Sequence, residues 1–519
     1  MSTNTEKLFQ SGCDVEGKHR VCRSRGGESC AFDGAMIVLQ PIADAAHIVH
    51  GPIACCGNSW EGRGTVSSQG NLHRMGFTTD MNEMDIIYGS DRKLLNAILQ
   101  TYNAVSPKAV FVYATCVSGL IGEDIGSVCR VAEKNLGIPV IPVNAPGFVG
   151  PKNLGNRIAG ETLLDCVIGT GEPSFMTDCD INLIGEYNIA GDLWLVEPVL
   201  RETGVRVLSR ITGDAKFEEI TYAHRAKLNV VVCSRALINI AKEMEKRYGI
   251  PYIEVSFFGK TEMSRAIRRI SEKLEVESGK LEEIEKTIKA EETSLELKLK
   301  KYSHLKGKKA VLYTGGVKSW SFVSALHDVG IEVVAVGTKK STFEDEQKMK
   351  AIMGTDAPLF EDTTPRNLLR LLKEKDADIL IAGGRNQYLA VKEGIPFVDV
   401  NQERHTAYSG YEGLVNLAEQ ISNSIRFYDK TRVRGNACGD KAPEFRNPRS
   451  AISIDPLKHS QSIGSAIALQ GIHKAIPIIH GAQGCTFLAK VLLTKHFREP
   501  IALASTKLFA EDVVMGSGE

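Results

Sequence analysis

Short hydrophobic segments alternate with helical patterns along most of the chain, and this alternation constrains the fold more than any other feature. AVFVYATC (109–116) is a β-branched run ending in a turn, GEDIGSVCRVAEKNLG (122–137) has the spacing of an amphipathic helix, and IPVIPVNA (138–145) is the next strand. Further segments of the strand type end at polar or glycine-rich residues: DINLIGEYN, LNVVVCSRA, KAVLYTGG, VVAVGTKKS, ADILIAGGR and IPFVDVNQ. The pattern predicts an α/β protein of parallel sheets with helices on both faces and ligands at the carboxyl ends of the strands.

The alternation is interrupted by a long charged helical stretch at 265–308, which we interpret as a solvated connection between domains and not as a binding element. A basic segment containing glycine and proline, at 431–450, has the composition of a linker. Three Rossmann-like domains are therefore predicted within the following divisions of the chain: an N-terminal extension (1–27), domain I (28–175), domain II (176–265), a helical connector (266–306), domain III (307–430), the linker (431–450) and a further segment (451–519).

That further segment repeats the beginning of domain I. Residues 39–57 and 469–487 both place His-Gly eleven positions after Leu-Gln and a cysteine five after the histidine, which aligns Cys55 with Cys485. Upstream, Cys30 is matched by Ser460. A long-period repeat of this kind indicates a duplicated unit, although two similar strand–turn segments could also arise by chance. We interpret the chain as one subunit joined to the incomplete start of a second, homologous one.

Composition excludes several classes of partner and compartment. The chain has 63 basic and 63 acidic residues, which argues against a nucleic-acid groove or an anionic membrane as its main partner. No apolar run is long enough for a membrane span, and the N-terminus lacks the apolar core of a signal peptide. These features predict a cytoplasmic protein, in which the twelve cysteines are metal ligands or core residues and not disulfides.

Four cysteines form a candidate ligand set for an iron–sulfur cluster. Cys30 lies in a glycine-flanked loop, Cys55 follows His-Gly-Pro in a tight turn, and Cys116 ends a strand. Scattered cysteines are more often core residues, but pseudo-symmetric packing of the repeat would add Cys485 and complete four thiolates for one [4Fe–4S] cluster. Cys233 closes a strand in a different domain, where ligands bind. The remaining cysteines are interpreted as core, surface or loop thiols: Cys13, Cys22, Cys56, Cys129, Cys166, Cys179 and Cys438.

Dense motifs extend over residues 28–430: SCAFDGA, HIVHGPIACCG, YATCVSGLIGED, KNLGNRIAGE, NLIGEYNIAGD, VVVCSRA, YTGGVKSWS, GTKKST, ILIAGGRNQY and VDVNQER. Together they resemble the NifE family, the α-like scaffold subunits of nitrogenase cofactor assembly within nitrogenase component 1. The tail, with HGAQGCTFL and HFREPIALAS, resembles the start of the NifN partner subunit. The resemblance implies three parallel-sheet domains per subunit, in agreement with the alternation.

The resemblance also implies which residues hold metal. It assigns the [4Fe–4S] ligands to Cys30, Cys55, Cys116 and Cys485, and an eight-iron cofactor precursor of the L-cluster type to Cys233. The motifs that border the precursor pocket contain the residues Arg63, Lys152, Asn153, Gly315, Gly316, Asn401, Gln402 and Glu403. Cationic and amide donors there would suit an anionic cluster carrying homocitrate and molybdenum or vanadium. For Arg63 and Lys152, an ordinary surface ion pair is the alternative.

The resemblance further implies a scaffold without a substrate-reducing role of its own. Where the catalytic relative has two histidines and a glutamine, this chain has Asn401, Asn156 and Lys152. An amide supplies neither an imidazole ligand nor its proton. Implied partners are a NifN-like subunit in an α2β2-like assembly, the nitrogenase iron protein, precursor donors and cofactor carriers. The alternatives are a catalytic α-subunit of the nitrogenase or dark-operative protochlorophyllide reductase type, and a non-metal binding module.

Overall fold

The computed structural model describes residues 29–437, with gaps at 61–66, 71, 73–74, 233–236, 315–317, 339–340, 342, 361–363 and 402–403, together with short strands between 479 and 503. Within these ranges the chain forms three parallel sheets, of four, four and five strands, and two short antiparallel pairs. The predicted α/β fold with parallel sheets is confirmed. The predicted domain limits stay predictions.

The first sheet has the strand order β2-β1-β3-β4. Its strands are β1 (Ala45–His50), β2 (Phe77–Thr78), β3 (Ala109–Ala114) and β4 (Val140–Val143). The α-helices of this unit are α1 (Ala31–Leu39), α2 (Ile53–Trp60), α3 (Glu83–Tyr88), α4 (Asp91–Val105), α5 (Cys116–Leu120), α6 (Ile125–Leu136) and α7 (Lys152–Cys166). Every residue of β1 and β3 is buried, as expected for strands covered by helices on both faces.

The second sheet repeats the same order, β6-β5-β7-β8. Its strands are β5 (Asp180–Ile184), β6 (Arg206–Ile211), β7 (Leu228–Val232) and β8 (Tyr252–Val255), and its helices are α8 (Asp192–Glu202), α9 (Phe217–Thr221) and α10 (Ile238–Tyr248). The central strands β5 and β7 are completely buried. Two units of the chain therefore share one topology.

The third sheet has five strands in the order β11-β10-β9-β12-β13. These are β9 (Lys309–Tyr313), β10 (Glu332–Gly337), β11 (Leu359–Phe360), β12 (Ile379–Ala382) and β13 (Phe397–Asp399). Two helices lie between the second and third sheets, α11 (Lys260–Lys273) and α12 (Ser278–Leu299). The helices of the third unit are α13 (Ser319–Val329), α14 (Phe343–Met353), α15 (Pro365–Glu374), α16 (Gln387–Glu393) and α17 (Gly410–Ala437). Helix α17 extends into the segment predicted as a linker.

The charged stretch between the second and third sheets is two helices and not one solvated rod. Helix α11 spans Lys260–Lys273 and helix α12 spans Ser278–Leu299. Both bury apolar residues in the core shared by the second and third sheets, among them Ile267 and Ile288, which are fully inaccessible to solvent. The connector therefore contributes to the hydrophobic core.

Each sheet has one point where the chain reverses the direction in which strands are added. These switch points lie between β1 and β3, between β5 and β7, and between β9 and β12. The loops after the two adjacent strands diverge there and leave a crevice, which is where open α/β sheets bind ligands. The strand order thus predicts three crevices.

Helices α1 and α7 cross with glycines at the contact. A Cβ on Gly34 would lie 2.0 Å from the carbonyl oxygen of Lys152, and one on Gly155 would lie 1.8 Å from that of Ala31. Only hydrogen atoms fit in these gaps, so the two backbones approach more closely than side chains would allow. The crossing fixes the start of α1 against the start of α7.

No helix within the described ranges is both long and apolar enough to cross a membrane.

Candidate metal centre

Cys30 and Cys116 converge on one glycine. A Cβ on Gly147 would lie 2.9 Å from the Sγ of Cys116 and 3.0 Å from the Sγ of Cys30, so the two sulfurs are near neighbours. Cys30 is also held by a backbone bridge to Pro151, in which Ala31 N–H donates to Gly150 O at 2.9 Å. The residues predicted from distant loops are therefore brought together.

Cys55 is the third cysteine of this group. Burial raises the pKa of its thiol, and the negative charges of the Cys116 and Cys30 thiolates raise this pKa further, which places all three sulfurs within electrostatic reach. The three residues are partly buried free thiols. Cys55 lies in the first turn of α2, and not in the tight turn predicted, because the helix begins directly after Pro52.

All three cysteines lie at the beginning of a helix. Cys30 immediately precedes α1, Cys55 is in the first turn of α2, and Cys116 is the first residue of α5 rather than the last residue of a strand. The first backbone N–H groups of a helix have no partner within the helix, so they are available to the sulfur atoms of a bound anionic cluster. Cys55 and Cys116 also follow β1 and β3, so the group lies at the first switch point.

The three cysteines supply the ligand type of an iron–sulfur cluster, which is thiolate sulfur. Within the described part of the chain, no three His, Cys, Asp or Glu side chains converge closely enough to hold one metal ion. A [4Fe–4S] cluster is larger than one ion, and its thiolate ligands stand correspondingly further apart. The three thiols, half-buried at one crevice, therefore fit such a cluster. The predicted fourth ligand, Cys485, lies outside the described residues.

A hydrogen-bond network connects the loops that carry Cys55 and Cys116. The Nε2 of His50 lies 2.5 Å from the Oε2 of Glu123, while the other oxygen of Glu123 accepts the N–H of Ser90 at 2.7 Å and its hydroxyl. The Nδ1 of His50 lies 3.1 Å from the Oγ1 of Thr79. Burial lowers the pKa of His50 despite the opposing charge of Glu123, so the ring is neutral near pH 7.

The second switch point lies beside the predicted precursor ligand. Cys233 itself lies outside the described residues, but it follows Val232, the last residue of β7. Across the switch point, β7 pairs with β5, and the segment after β5 includes residues Glu186 to Asp192. We call this segment, within the motif GEYNIAGD, the 186–192 loop.

The 186–192 loop contacts both other units of the chain. Asn188 donates from Nδ2 to the carbonyl oxygen of Ser67 at 2.7 Å, four residues after Arg63. Glu186 lies 4.0 Å from the Nζ of Lys318, two residues after Gly316. Arg63, Gly315 and Gly316 themselves are outside the described residues, yet their neighbours in sequence meet at this loop.

Asp192 anchors the segment after β13 to the same loop. Its carboxylate pairs with the guanidinium of Arg404 and accepts the backbone N–H groups of Tyr408 and Ser409 at 2.9 and 3.0 Å. Burial would raise the pKa of Asp192, but the charge and hydrogen bonds of Arg404 outweigh it and hold this pKa below its usual range. Gln402 and Glu403, next to Arg404, lie outside the described residues.

Glu186 has a different electrostatic environment from Asp192. Its side chain is buried, and burial raises its pKa more than the distant ammonium of Lys318 lowers it. Lys318 also lies over the ring of Phe258, 5.4 Å from the ring centroid. The 186–192 loop therefore contains one firmly paired acid, Asp192, and one loosely paired acid, Glu186.

The predicted residues at the start of α7 lie beside the cysteine group. Lys152 N–H donates to Ser29 O at 2.9 Å, which completes the bridge around Cys30. Asn153 is exposed. Asn156 is 5% exposed, and its Oδ1 has no hydrogen-bond partner among the described residues, so a buried acceptor is available there.

Asn401 lies just after the last strand of the third sheet. Its backbone N–H donates to Asp399 Oδ1 at 2.7 Å. A Cβ on Gly383, directly after β12, would lie 2.4 Å from the Asn401 Nδ2. The amide of Asn401 therefore fits there only because residue 383 has no side chain. Glycine at this position places Asn401 at the carboxyl edge of the sheet.

The other described cysteines agree with their interpretation as core or surface thiols. Cys56 and Cys129 are buried, and burial raises the pKa of each to about 12. Cys166 is exposed and Cys179 is partly buried. Cys13, Cys22 and Cys438 lie outside the described residues.

Sequence reasoning missed the polar residues that connect the predicted ones. Glu186, Asn188, Asp192 and Lys318 lie in motifs that the sequence analysis singled out, but none was assigned a role. A signal existed, because these polar residues follow hydrophobic strands that end at switch points. Their partners, however, lie more than a hundred residues away in sequence.

Comparisons with known proteins identify the family of the chain. The sequence profile of the family described as nitrogenase component 1 type oxidoreductase matches residues 30–426 and 460–519. The chain is 56% identical over 434 residues to the nitrogenase iron-molybdenum cofactor biosynthesis protein NifE of Nostoc sp. (strain PCC 7120), covering 81% of this chain and 90% of that protein. It is 48% identical to the protein of the same name from Klebsiella pneumoniae, covering 76% and 89%. A solved structure of nitrogenase Cp1 at pH 5 superposes with a TM-score of 0.70 at 30% identity, covering 77% of this chain and 88% of that one.

Proposed function

The chain belongs to the nitrogenase component 1 type oxidoreductase family, and from that premise we propose that it is a scaffold on which the iron–molybdenum cofactor of nitrogenase is matured. The observation that carries this proposal is the similarity to cofactor biosynthesis proteins NifE over four-fifths of the chain. Their names favour the scaffold over a catalytic α-subunit.

We propose that Cys30, Cys55 and Cys116 hold one [4Fe–4S] cluster together with Cys485. The convergence of the first two sulfurs on Gly147 and the proximity of Cys55 support this assignment. When bound, such a cluster supplies one electron at a time. The helix beginnings at the three cysteines would stabilise the thiolates and the negative charge of the cluster.

Three exposed apolar side chains lie close in sequence to these cysteines and support the proposed partner. Ile53, Leu120 and Phe148 are 56, 74 and 55% exposed, and each lies within four residues of a ligand or of Gly147. Exposed side chains of this size beside a functional site are typical of an interface. We propose that the NifN-like segment at 451–519 and the rest of that subunit cover this surface and bring Cys485 to the cluster, within an α2β2-like assembly.

The cargo would be an iron–sulfur precursor bound at the second switch point by Cys233. The 186–192 loop supports this place, because it contacts the neighbours of Arg63, Gly315 and Gly316 and is anchored beside Gln402 and Glu403. Lys152, Asn153 and Asn401 would offer further cationic and amide donors to an anionic cargo. Homocitrate and molybdenum, or vanadium, would join the precursor there.

Two asparagines support release of the finished cofactor instead of its use. Asn156 and Asn401 provide amides where the resemblance places histidines in the catalytic relative. Neither amide coordinates metal as an imidazole does. A cargo held by Cys233 alone could therefore leave for the catalytic protein. The nitrogenase iron protein would dock near the [4Fe–4S] cluster, with precursor donors and cofactor carriers as further partners in the cytoplasm.

The test uses the full-length protein together with its partner half, purified without oxygen. Cys485→Ala should lower the iron content and the electron paramagnetic resonance (EPR) signal of the [4Fe–4S] cluster while leaving the circular dichroism spectrum unchanged. Cys166→Ala is the matched control, because that thiol is exposed and outside the group. An unchanged cluster spectrum in Cys485→Ala contradicts the ligand assignment.

The scaffold role is tested by reconstitution. The loaded protein is mixed with reduced iron protein, ATP, molybdate and homocitrate, and cofactor-free nitrogenase is then added. We expect the acceptor to become active and the loaded protein alone to reduce no dinitrogen. Sustained dinitrogen reduction by the protein alone, or an acceptor that stays inactive, contradicts the proposal.

A further inference from the structure

We infer that Glu123 and His50 are positioning residues for the [4Fe–4S] site, which they support through a buried brace behind Cys55 and Cys116. The brace consists of His50, Thr79, Ser90 and Glu123. The inference rests on the proposed function and deepens it. None of these four residues is a proposed cluster ligand, so they would act by holding the ligand loops in place.

The brace joins the two cysteine loops from both sides. His50 ends β1, five residues before Cys55, and its carbonyl oxygen accepts the hydroxyl of Thr115 at 2.9 Å. Thr115 immediately precedes Cys116. Glu123 follows α5, and its backbone N–H donates to Ser118 O at 3.2 Å. Its carboxylate therefore connects the far end of the Cys116 helix to the strand that leads to Cys55.

The hydrogen bonds also fix the proton on His50. Thr79 Oγ1 accepts the backbone N–H of Gly51 at 3.1 Å, so its hydroxyl proton is available for Nδ1 of His50. The proton of the neutral ring then lies on Nε2 and faces Glu123. A Cβ on Gly51 would lie 2.2 Å from the Thr115 hydroxyl, so the two loops are in close contact here.

Burial makes the brace sensitive to the loss of one member. His50 is fully buried, and the side chain of Glu123 is 7% exposed. Truncating Glu123 removes the acceptor of the Ser90 N–H and hydroxyl and leaves His50 Nε2 with the Ser90 hydroxyl alone, in a place with little access to water. The loops would then be free to shift, and the sulfurs of Cys55 and Cys116 would move with them.

The experiment compares Glu123→Ala and Glu123→Gln in the full-length loaded protein. We expect Glu123→Ala to release cluster iron to a chelator about tenfold faster than the unsubstituted protein, because three hydrogen bonds to the carboxylate are lost, and to change the shape of the EPR signal. Glu123→Gln keeps an oxygen for Ser90 N–H but turns an amide donor toward Nε2 of His50, so it should restore both readouts in part. Glu133→Ala is the matched control, because that carboxylate accepts Val140 N–H in the same unit, away from the cysteines.

A second variant covers the case in which Glu123→Ala fails to fold. Ser90→Ala removes one hydroxyl contact to Glu123 and His50 but keeps the backbone N–H, and the Ser90 side chain makes no capping hydrogen bond to α4. It should accelerate iron release to a smaller extent. Chelator rates and EPR signals equal to those of Glu133→Ala in all three variants overturn the inference. If the unsubstituted protein itself holds no [4Fe–4S] cluster, the proposed function is what fails.

Discussion

The crossing of α1 and α7 leads to a sharp prediction for Gly155→Ala. The added methyl group would lie 1.8 Å from the carbonyl oxygen of Ala31, whereas real Cβ contacts stay beyond 3.0 Å. Both atoms belong to, or are bonded directly to, the backbone, so no flexible side chain can absorb the clash. The helices must separate by about 1 Å or more, as happens when an extra methyl group is forced into a packed core.

The separation should have an energetic and a functional result. Overpacking of this kind costs about 1–3 kcal/mol, which should lower the melting temperature by roughly 1–3 °C in a protein of this size. Since α1 begins directly after Cys30, the same shift moves that thiol away from Cys116. We therefore expect lower cluster occupancy as well, measured as iron per chain after anaerobic reconstitution.

The matched control is Gly279→Ala near the start of α12. A Cβ there meets no atom within 4 Å, and alanine favours a helix over glycine by up to about 1 kcal/mol. Its melting temperature should stay equal or rise, and its iron content should not change. If Gly155→Ala melts at the unsubstituted temperature and binds a full complement of iron, the reasoning from the close backbone contact is wrong.

Three further predictions concern the cleft and the buried charges. Cys233→Ala should keep the [4Fe–4S] EPR signal but lose the precursor; a variant that matures the precursor normally would show that Cys233 is a core thiol. Burial raises the pKa of Glu219 to about 7 despite the opposing charge of Arg210, so its protonation stabilises the fold below pH 4.5 and this contribution is lost as the pH rises through 7. Glu219→Gln should therefore be more stable than the unsubstituted protein at pH 8, by up to about 3 kcal/mol, in denaturation curves measured from pH 5 to 8; parallel curves would contradict this. Asp192→Ala leaves the guanidinium of Arg404 buried without its partner and should cost about 3–5 kcal/mol. The double variant Asp192→Leu/Arg404→Met should recover only part of this loss in thermal melts, because the backbone N–H groups of Tyr408 and Ser409 still lack their acceptor.

The sequence was sufficient for the fold class because each sheet strand has its own local signal. Central strands such as β3 and β7 are continuous apolar runs of the kind that parallel sheets bury on both faces. The burial of α12 was not predicted, because its apolar residues Ile284 and Ile288 are surrounded by charges. The break between α11 and α12 was not predicted either. Helix periodicity alone does not show where such a rod bends.

The candidate site divides in the same way. The repeat aligned Cys30 and Cys55 with the second copy, and the resemblance added Cys116. The brace and the 186–192 loop, in contrast, depend on contacts between distant parts of the chain. His50 and Glu123, for example, are 73 residues apart. Nothing in the local sequence around Glu123 distinguishes it from a surface acid. Long-range geometry had to be known before its role could be inferred.

The hydrophobic cores close in a fixed order as the chain leaves the ribosome. One core of the first unit takes its buried residues only from positions 46–140, so it can form early in synthesis. The core shared by the second and third sheets begins at Ile181 and ends at Ile425, in α17. Until α17 emerges, α8, α11 and α12 lack one of the helices that cover their apolar faces. A chain that stops before residue 410 should therefore bind chaperones or aggregate, even though the loops of Cys30, Cys55 and Cys116 are already complete.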